Sequence, residues 1–476
     1  MAIVFPARAP RRAARPPRRS PALPLAARLL RSLGGYGGRV AASLGLRGLG
    51  MGLQFAISVL AARLLGVEGF GVYTYAFVWV AVLGLVAQLG FGSLAAREMP
   101  DRAAAGDASG ARRYLRFAGA ATALAVGGIA AALAGAEAAG AAVPFGWALL
   151  ALGVALQAGG ALVAGALAGL QRIVASQMVE VTLRPLIMFA GLAALAAAPG
   201  AAAAGVNARD VYLLAVGATG ASLAVAIVLL VRAMGRDLPG DGAPAPAPDP
   251  APRAEARAWA LGALALLATA ITTVMMTNLD ILMIGAMAPP DEVGRYRAAS
   301  RGVDVILIAT GVAIQVMGPM LARALAGEDR GAARGLITRA AATMMAAGLP
   351  LCAAFFVLAE TYLGLFGPEF VPAAAAMRIL VASQAIAILC GPAGMALIMM
   401  KRERLALWLN LAALAVNLGL NLLLIPIYGL EGAAVATLVS VAGVRIAMAV
   451  ALLRAGHDPT AAAPVRAAWR RLRRGR

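Results

Sequence analysis

Long apolar runs recur along this chain from residue 40 to residue 453. Each is close to the roughly 20 residues that carry a helix across about 30 Å of hydrocarbon. In lipid the backbone must satisfy its own hydrogen bonds, which leaves helices or closed barrels, and the period-2 alternation of a barrel strand is absent. The pattern predicts an all-α integral membrane protein with about twelve transmembrane helices, over approximately 40–64, 70–95, 114–135, 145–170, 175–198, 211–232, 258–286, 293–322, 340–364, 372–399, 404–426 and 429–453. Only 13% of residues are charged, about half the usual share of a soluble domain, so no water-soluble surface can be built.

The net charge of +20 would suggest nucleic acid in a soluble protein. Here it collects at membrane boundaries. Arg8 to Arg39 and Arg454 to Arg476 form two basic tails with a single aromatic each, Tyr36 and Trp469, too few to stack successive bases, so they predict contact with anionic lipid and no nucleic acid partner. Arg11-Arg12 and Arg18-Arg19 precede a stretch broken by Pro24, Arg28 and Arg31, so no cleaved signal is expected. Cys352 and Cys390 fall inside apolar runs, and the sole histidine, His457, lies in a tail. Neither a disulfide framework nor a metal site follows, and no cofactor is expected. The sole lysine, Lys401, is not in a phosphate-binding loop, so transport would draw on an ion gradient or the substrate's own gradient.

Seventeen basic residues fall in the connections on one side: Arg97, Arg102, Arg112, Arg113, Arg116, Arg172, Arg232, Arg236, Arg253, Arg257, Arg323, Arg330, Arg334, Arg339, Lys401, Arg402 and Arg404. The opposite side has Arg209 and Arg295. This bias predicts both termini in the cytoplasm of a bacterial inner membrane. The expected organisation is a basic tail (1–39), a six-helix lobe (40–233), a cytoplasmic Pro/Ala linker (234–257), a second six-helix lobe (258–453) and a basic tail (454–476). An internal repeat supports the division. Glu68-Gly69-Phe70-Gly71-Val72-Tyr73 and Asp291-Glu292-Val293-Gly294-Arg295-Tyr296 both read acid-x-apolar-Gly-x-Tyr, each after the first helix of a lobe. Two such lobes, related by an axis along the membrane normal, are a transporter plan.

The stretch Leu64-Leu65-Gly66-Val67-Glu68-Gly69-Phe70-Gly71-Val72-Tyr73, continuing to Gln88-Leu89-Gly90-Phe91-Gly92-Ser93 and Arg97-Glu98, resembles the start of Wzx-type polysaccharide flippases. So do Leu365-Phe366-Gly367-Pro368-Glu369-Phe370 and Pro426-Ile427-Tyr428-Gly429-Leu430-Glu431-Gly432. The superfamily also includes multidrug and toxin extrusion transporters and the flippase for the peptidoglycan precursor. The resemblance implies two pseudo-symmetric six-helix lobes forming a V around a central cavity. It also implies a lipid-linked oligosaccharide as substrate, moved by alternating access, with a polysaccharide polymerase and export machinery as partners.

Charge inside a span is expensive and should face a partner or a wet cavity. Arg297, Arg301 and Asp304 share one face of the eighth span, and Asn278 and Asp280 lie at similar depth on the seventh. Arg301 and Arg297, with Arg47 and Arg184, are candidate headgroup contacts, since guanidinium binds phosphate through two bonds. Asp280, Asn278 and Asp304 are candidates for ion coupling or pairing. The competing readings are an Asp280–Arg301 pair that only fastens two helices, an Arg184–Glu180 pair four residues apart, and an Arg47 that snorkels. Arg63 and Arg445 read as interfacial anchors, and Asn410, Asn417 and Asn421 as bonds between helices. A multidrug exporter of the same fold is the alternative function. A membrane polymerase or ligase is disfavoured, because the largest outer connection, Pro199 to Asp210, is mostly alanine and glycine.

The loop bias predicts that a cysteine introduced at Ala247 of a cysteine-free variant is protected from an impermeant thiol reagent in intact cells, whereas one at Ala138 is labelled. The reverse pattern would invert the topology.

Overall fold

The computed structural model describes residues 38–198, 205–238, 252–326 and 330–456. The expected tails and the Pro/Ala part of the linker therefore lie almost wholly outside the described residues. Residues 46–476 form one compact unit; of residues 1–45, the helical backbone from Gly38 onward is described. The described residues are overwhelmingly helical and contain no strand.

The helices are α1 (Gly38–Ala87), α2 (Phe91–Ala105), α3 (Ala108–Ala138), α4 (Trp147–Gly169), α5 (Ile173–Ala197), α6 (Ala208–Asp237), α7 (Pro252–Met287) and α8 (Pro290–Ala326). They continue as α9 (Arg330–Val357), the short α10 (Ala359–Gly364), α11 (Ala374–Leu389), α12 (Ala393–Met399) and α13 (Glu403–Arg454). Nine helical segments among the described residues are long and apolar enough to cross a membrane. Two of them, in α1 and α13, are 40 and 52 residues long and bend midway. The 37-residue α8 is not among the nine, and it carries the charges discussed below. This inventory is consistent with twelve passes. Large apolar side chains such as Leu124, Val231, Leu423 and Ile427 stand exposed around the bundle, as a lipid solvent requires.

The bends explain how two passes can be read as one helix. Gly66 (φ 67°) and Gly429 (φ 55°) take left-handed backbone conformations that favour glycine. Each break frees a backbone N–H that lipid cannot satisfy. Val67 donates its N–H to Glu369 Oε2 at 3.2 Å, and Leu430 donates to Glu292 Oε2 at 2.7 Å. A carboxylate at each restart also complements the positive end of the helix dipole.

At this same end the two halves of the sequence meet. A Cβ added at Gly71 would run into the Pro290 carbonyl, and one at Gly294 into the Val67 carbonyl. The two glycines of the repeated motif therefore let backbone pack on backbone across the interface. Beside them Phe55 and Phe70 from the first half stack against Tyr362, Phe366 and Phe370 from the second, with centroids 5.9–6.0 Å apart. Arg63, expected at the membrane interface, instead donates its Nε to the Leu365 carbonyl at 2.8 Å.

At the opposite end α7 starts against the first half. Trp259 is buried beneath Tyr114 and Phe117, with the Arg102 guanidinium 5.2 Å from its ring centroid. Arg102 also pairs with Glu255 at 2.7 Å, Asp107 at 3.2 Å and Glu98 at 3.4 Å. Asp107 caps α3 by accepting from the Gly110 N–H. Burial pushes its carboxyl up, but the Gly110 N–H, the Ser109 hydroxyl and the charge of Arg102 outweigh this and hold it below the usual carboxylate range.

Gly71→Val should destabilise by at least about 1–3 kcal/mol, because the obstructing atoms are backbone and cannot repack. Thermal unfolding in detergent measures this. Wild-type melting in the variant would show that the two motifs do not close on each other.

Candidate functional site

Between the closed end and the α7 anchor the second half encloses a cavity of about 420 Å³. Its wall includes Asp280 and four threonines from α7, Arg297 and Asp304 from α8, Gln384 from α11, and Asn410 and Arg445 from α13. Arg445 is therefore a cavity residue and not the interfacial anchor expected from its place near a helix end. Its rotation about the helix axis, not its depth, decides this.

Asp280 sits at the centre of a polar network. Its Oδ1 accepts from Asn421 Nδ2 at 2.8 Å, and its Oδ2 accepts from the Tyr296 hydroxyl at 2.6 Å and from the Thr437 hydroxyl. Asn421 also donates to Asn417 Oδ1 at 3.1 Å, and Asn417 reaches Ser440 at 3.4 Å. Asn421 is fully buried, yet its Oδ1 has no hydrogen-bond partner. Flipping the amide would give up both of its donated bonds, so this oxygen is a true orphan acceptor. The set offers one carboxylate with neutral oxygens and neither thiolate nor imidazole, a chemistry suited to a proton or a hard monovalent cation.

The expected Asp280–Arg301 pair is not formed. Arg301 donates to Asp304 at 3.2 Å, one helical turn away on its own helix, leaving its Nε buried without a partner. Proximity in depth did not suffice, because Tyr296 from the same helix reaches Asp280 first and fills its Oδ2. Asn278 also stays on its own helix, donating to the Val274 carbonyl at 3.0 Å and the Thr277 hydroxyl at 2.9 Å.

Arg184 lies in the first half, just after a π-helical turn spanning Met178–Leu183, an irregularity often found at functional positions. Its hydrogen bond goes to Gln157 Oε1 at 3.0 Å rather than to Glu180, and its guanidinium stands 5.6 Å from the Phe77 ring centroid. Arg184, Gln157 and Glu180 line a small pocket of about 30 Å³, room for roughly one water. Tyr73 is within electrostatic reach of Arg184, Arg297 and Arg301 together. Three of the four candidate arginines, from both halves of the chain, thus form a loose cluster within electrostatic range of one tyrosine, although only Arg297 lines the larger cavity and Arg184 lines the separate small pocket. The fourth, Arg47, is on α1, and its side chain lies outside the described residues. Such a cluster can hold an anionic group with several oxygens, because each guanidinium presents a planar fork of donors.

Residues 39–325 match the model of the family described as polysaccharide biosynthesis protein. No curated protein matches the sequence. Among solved structures the chain is similar to an inward-facing multidrug resistance MATE family transporter of the MOP superfamily, at 13% identity and a TM-score of 0.64, covering 86% of this chain and 96% of that one. It is similar to a mutant of the Vibrio cholerae MATE transporter VcmN at 15% identity and 0.56, covering 90% and 97%. A third likeness, at 14% and 0.54 over 86% and 93%, is to a MOP superfamily transporter from Pyrococcus furiosus described as having a binding pocket of reversed polarity. At these identities the likeness is one of fold: all-α, membrane-spanning and two-lobed.

If Asp304 restrains Arg301, Asp304→Asn should tighten binding of inorganic pyrophosphate to the solubilised protein. Arg301→Lys should weaken it about tenfold, since bonds between charged groups are the stronger ones. Calorimetric titration reads both. Unchanged binding with lowered melting in Asp304→Asn would leave the pair a purely structural one.

Proposed function

We propose that this chain, which belongs to the polysaccharide biosynthesis protein family of multi-pass membrane transporters, is a flippase for a lipid-linked oligosaccharide. The substrate's diphosphate enters the cavity from the cytoplasmic leaflet and is held by Arg184, Arg297 and Arg301, with Arg47 as a further contact. The lobes then exchange the open side, and the glycan is released to the outer leaflet. What supports this reading is that Arg184, Arg297 and Arg301 all lie within electrostatic range of Tyr73, so that cationic groups of the two halves act on a common region. A site made from both lobes is remade whenever they move, so binding and movement are coupled by construction.

Asp280 is the coupling group in this reading. Its carboxylate is the negative charge that a proton or cation would neutralise, and it shares its cavity with Arg297. The 17-to-2 bias in loop charge supports an inner-membrane location with both termini cytoplasmic. A polymerase and export proteins would receive the flipped product on the far side.

Proteoliposomes carrying a fluorescent undecaprenyl-diphosphate oligosaccharide test the proposal through the accessibility of the glycan to an impermeant glycosidase. The wild-type chain should redistribute the lipid between leaflets within minutes, and Asp280→Asn should fold normally yet abolish any dependence on an imposed ion gradient. Movement of a cationic dye by the same vesicles, with the lipid left in place, would assign the protein to multidrug export instead.

A further inference from the structure

The glycan flippase reading leaves one wall of the cavity without a task. Along α7, Thr269, Thr272, Thr273 and Thr277 all line the cavity, below Asp280 toward the α7 anchor at Glu255. Spacings of three and four residues put them on one face of the helix, and from Thr269 to Asp280 that face extends roughly 17 Å at the helical rise. Threonines that bond their own helix are common in membrane spans, but these four all face the cavity.

The state of these hydroxyls decides what they can bind. Each has one proton, and each donates it to a carbonyl on its own helix: Thr269 to Ala265, Thr272 to Ala268, Thr273 to Thr269, and Thr277 to Thr273 and Val274. What remains toward the cavity is a set of acceptor lone pairs, fewest at Thr277, which already accepts from Asn278 Nδ2. Such a row offers no donor to an ionised diphosphate ester, which only accepts, and it welcomes ligand hydroxyls, which donate. Across the cavity Gln384 and Asn410 make no hydrogen bond among the described residues, and their amides supply both donors and acceptors. The single aromatic ring on the cavity wall belongs to Tyr296, whose hydroxyl is committed to Asp280.

We propose that the α7 threonines are an acceptor rail for the uncharged hydroxyls of the substrate's sugars, opposite Gln384 and Asn410. The inference rests on the flippase reading and adds a division of labour within it. The arginine cluster holds the diphosphate near the end where the two motifs meet, and the rail holds the sugar nearer the α7 anchor. Because the rail presents several acceptors and no stacking platform, it favours hydroxylated rings in general over one particular sugar.

Two substitutions separate hydroxyl from shape. The triple variant Thr272→Val, Thr273→Val, Thr277→Val keeps the outline and removes the oxygens, whereas Thr→Ser at the same three positions keeps the oxygens and removes the methyls. Binding to the purified full chain is measured for undecaprenyl diphosphate and for the same lipid bearing one N-acetylhexosamine, with melting temperature as the check on folding. The valine variant should bind the sugar-bearing lipid about tenfold more weakly, the loss expected for one or two net hydrogen bonds. It should bind the sugar-free lipid as the wild type does, and the serine variant should resemble the wild type with both. An equal loss for the two lipids, no loss for either, or serine behaving as valine does would overturn the rail while leaving the flippase reading intact. A wild-type chain that binds neither lipid would overturn the flippase reading and the rail with it.

Discussion

The backbone contact between Gly71 and the start of α8, mirrored by Gly294 against Val67, is the constraint from which the cavity follows. Helices can approach this closely only where both lack a Cβ, and such approach supplies the packing that lipid cannot drive by hydrophobicity. The polar residues that line the cavity lie on the second-half helices that run on from this contact. The same contact explains the nearby bends. Chains that meet at a point must turn there, and Gly66 and Gly429 turn at conformations that glycine favours. The turn exposes two N–H groups, and Glu369 and Glu292 satisfy them.

The two copies of the repeated motif occupy equivalent places and have taken different tasks. Tyr73 of the first copy faces the arginines, while Tyr296 of the second binds Asp280. Duplication supplies the symmetry of the scaffold, which is a matter of backbone and glycine. The chemistry resides in where that symmetry is broken. One tyrosine lies within electrostatic range of three arginines, the other anchors a carboxylate network, and helix α8 carries both Tyr296 and the Arg297–Asp304 face.

Asp280, Arg297 and Asp304 could be singled out from the chain alone, because a charge in an apolar run has no inexpensive place except a cavity or a partner. The three do line one cavity. The partners could not be read in the same way. Asp280 is bonded by Asn421 and Thr437, more than 140 residues further on, and no local spacing announces that. Arg445 was passed over because position near a helix end suggests an anchor, whereas its orientation puts it on the cavity wall. The α7 threonines gave no signal either, since threonine that bonds its own helix is common in membrane spans.

What the sequence determined by itself was the solvent, the helical secondary structure and the repeated glycine motif. Those depend on quantities carried by contiguous residues: hydropathy over about 20 positions, self-satisfied backbone hydrogen bonds, and glycines in a recurring motif. What only the tertiary structure decided was which face each helix turns toward the others. A helical rotation of one residue, about 100° at 3.6 residues per turn, exchanges lipid for cavity and one hydrogen-bond partner for another. That angle is set by packing between segments far apart in the chain, so the pairing of Arg301 with Asp304, the approach of Arg184 and Arg297 to within electrostatic range of Tyr73, and the orphan oxygen of Asn421 exist only in the fold.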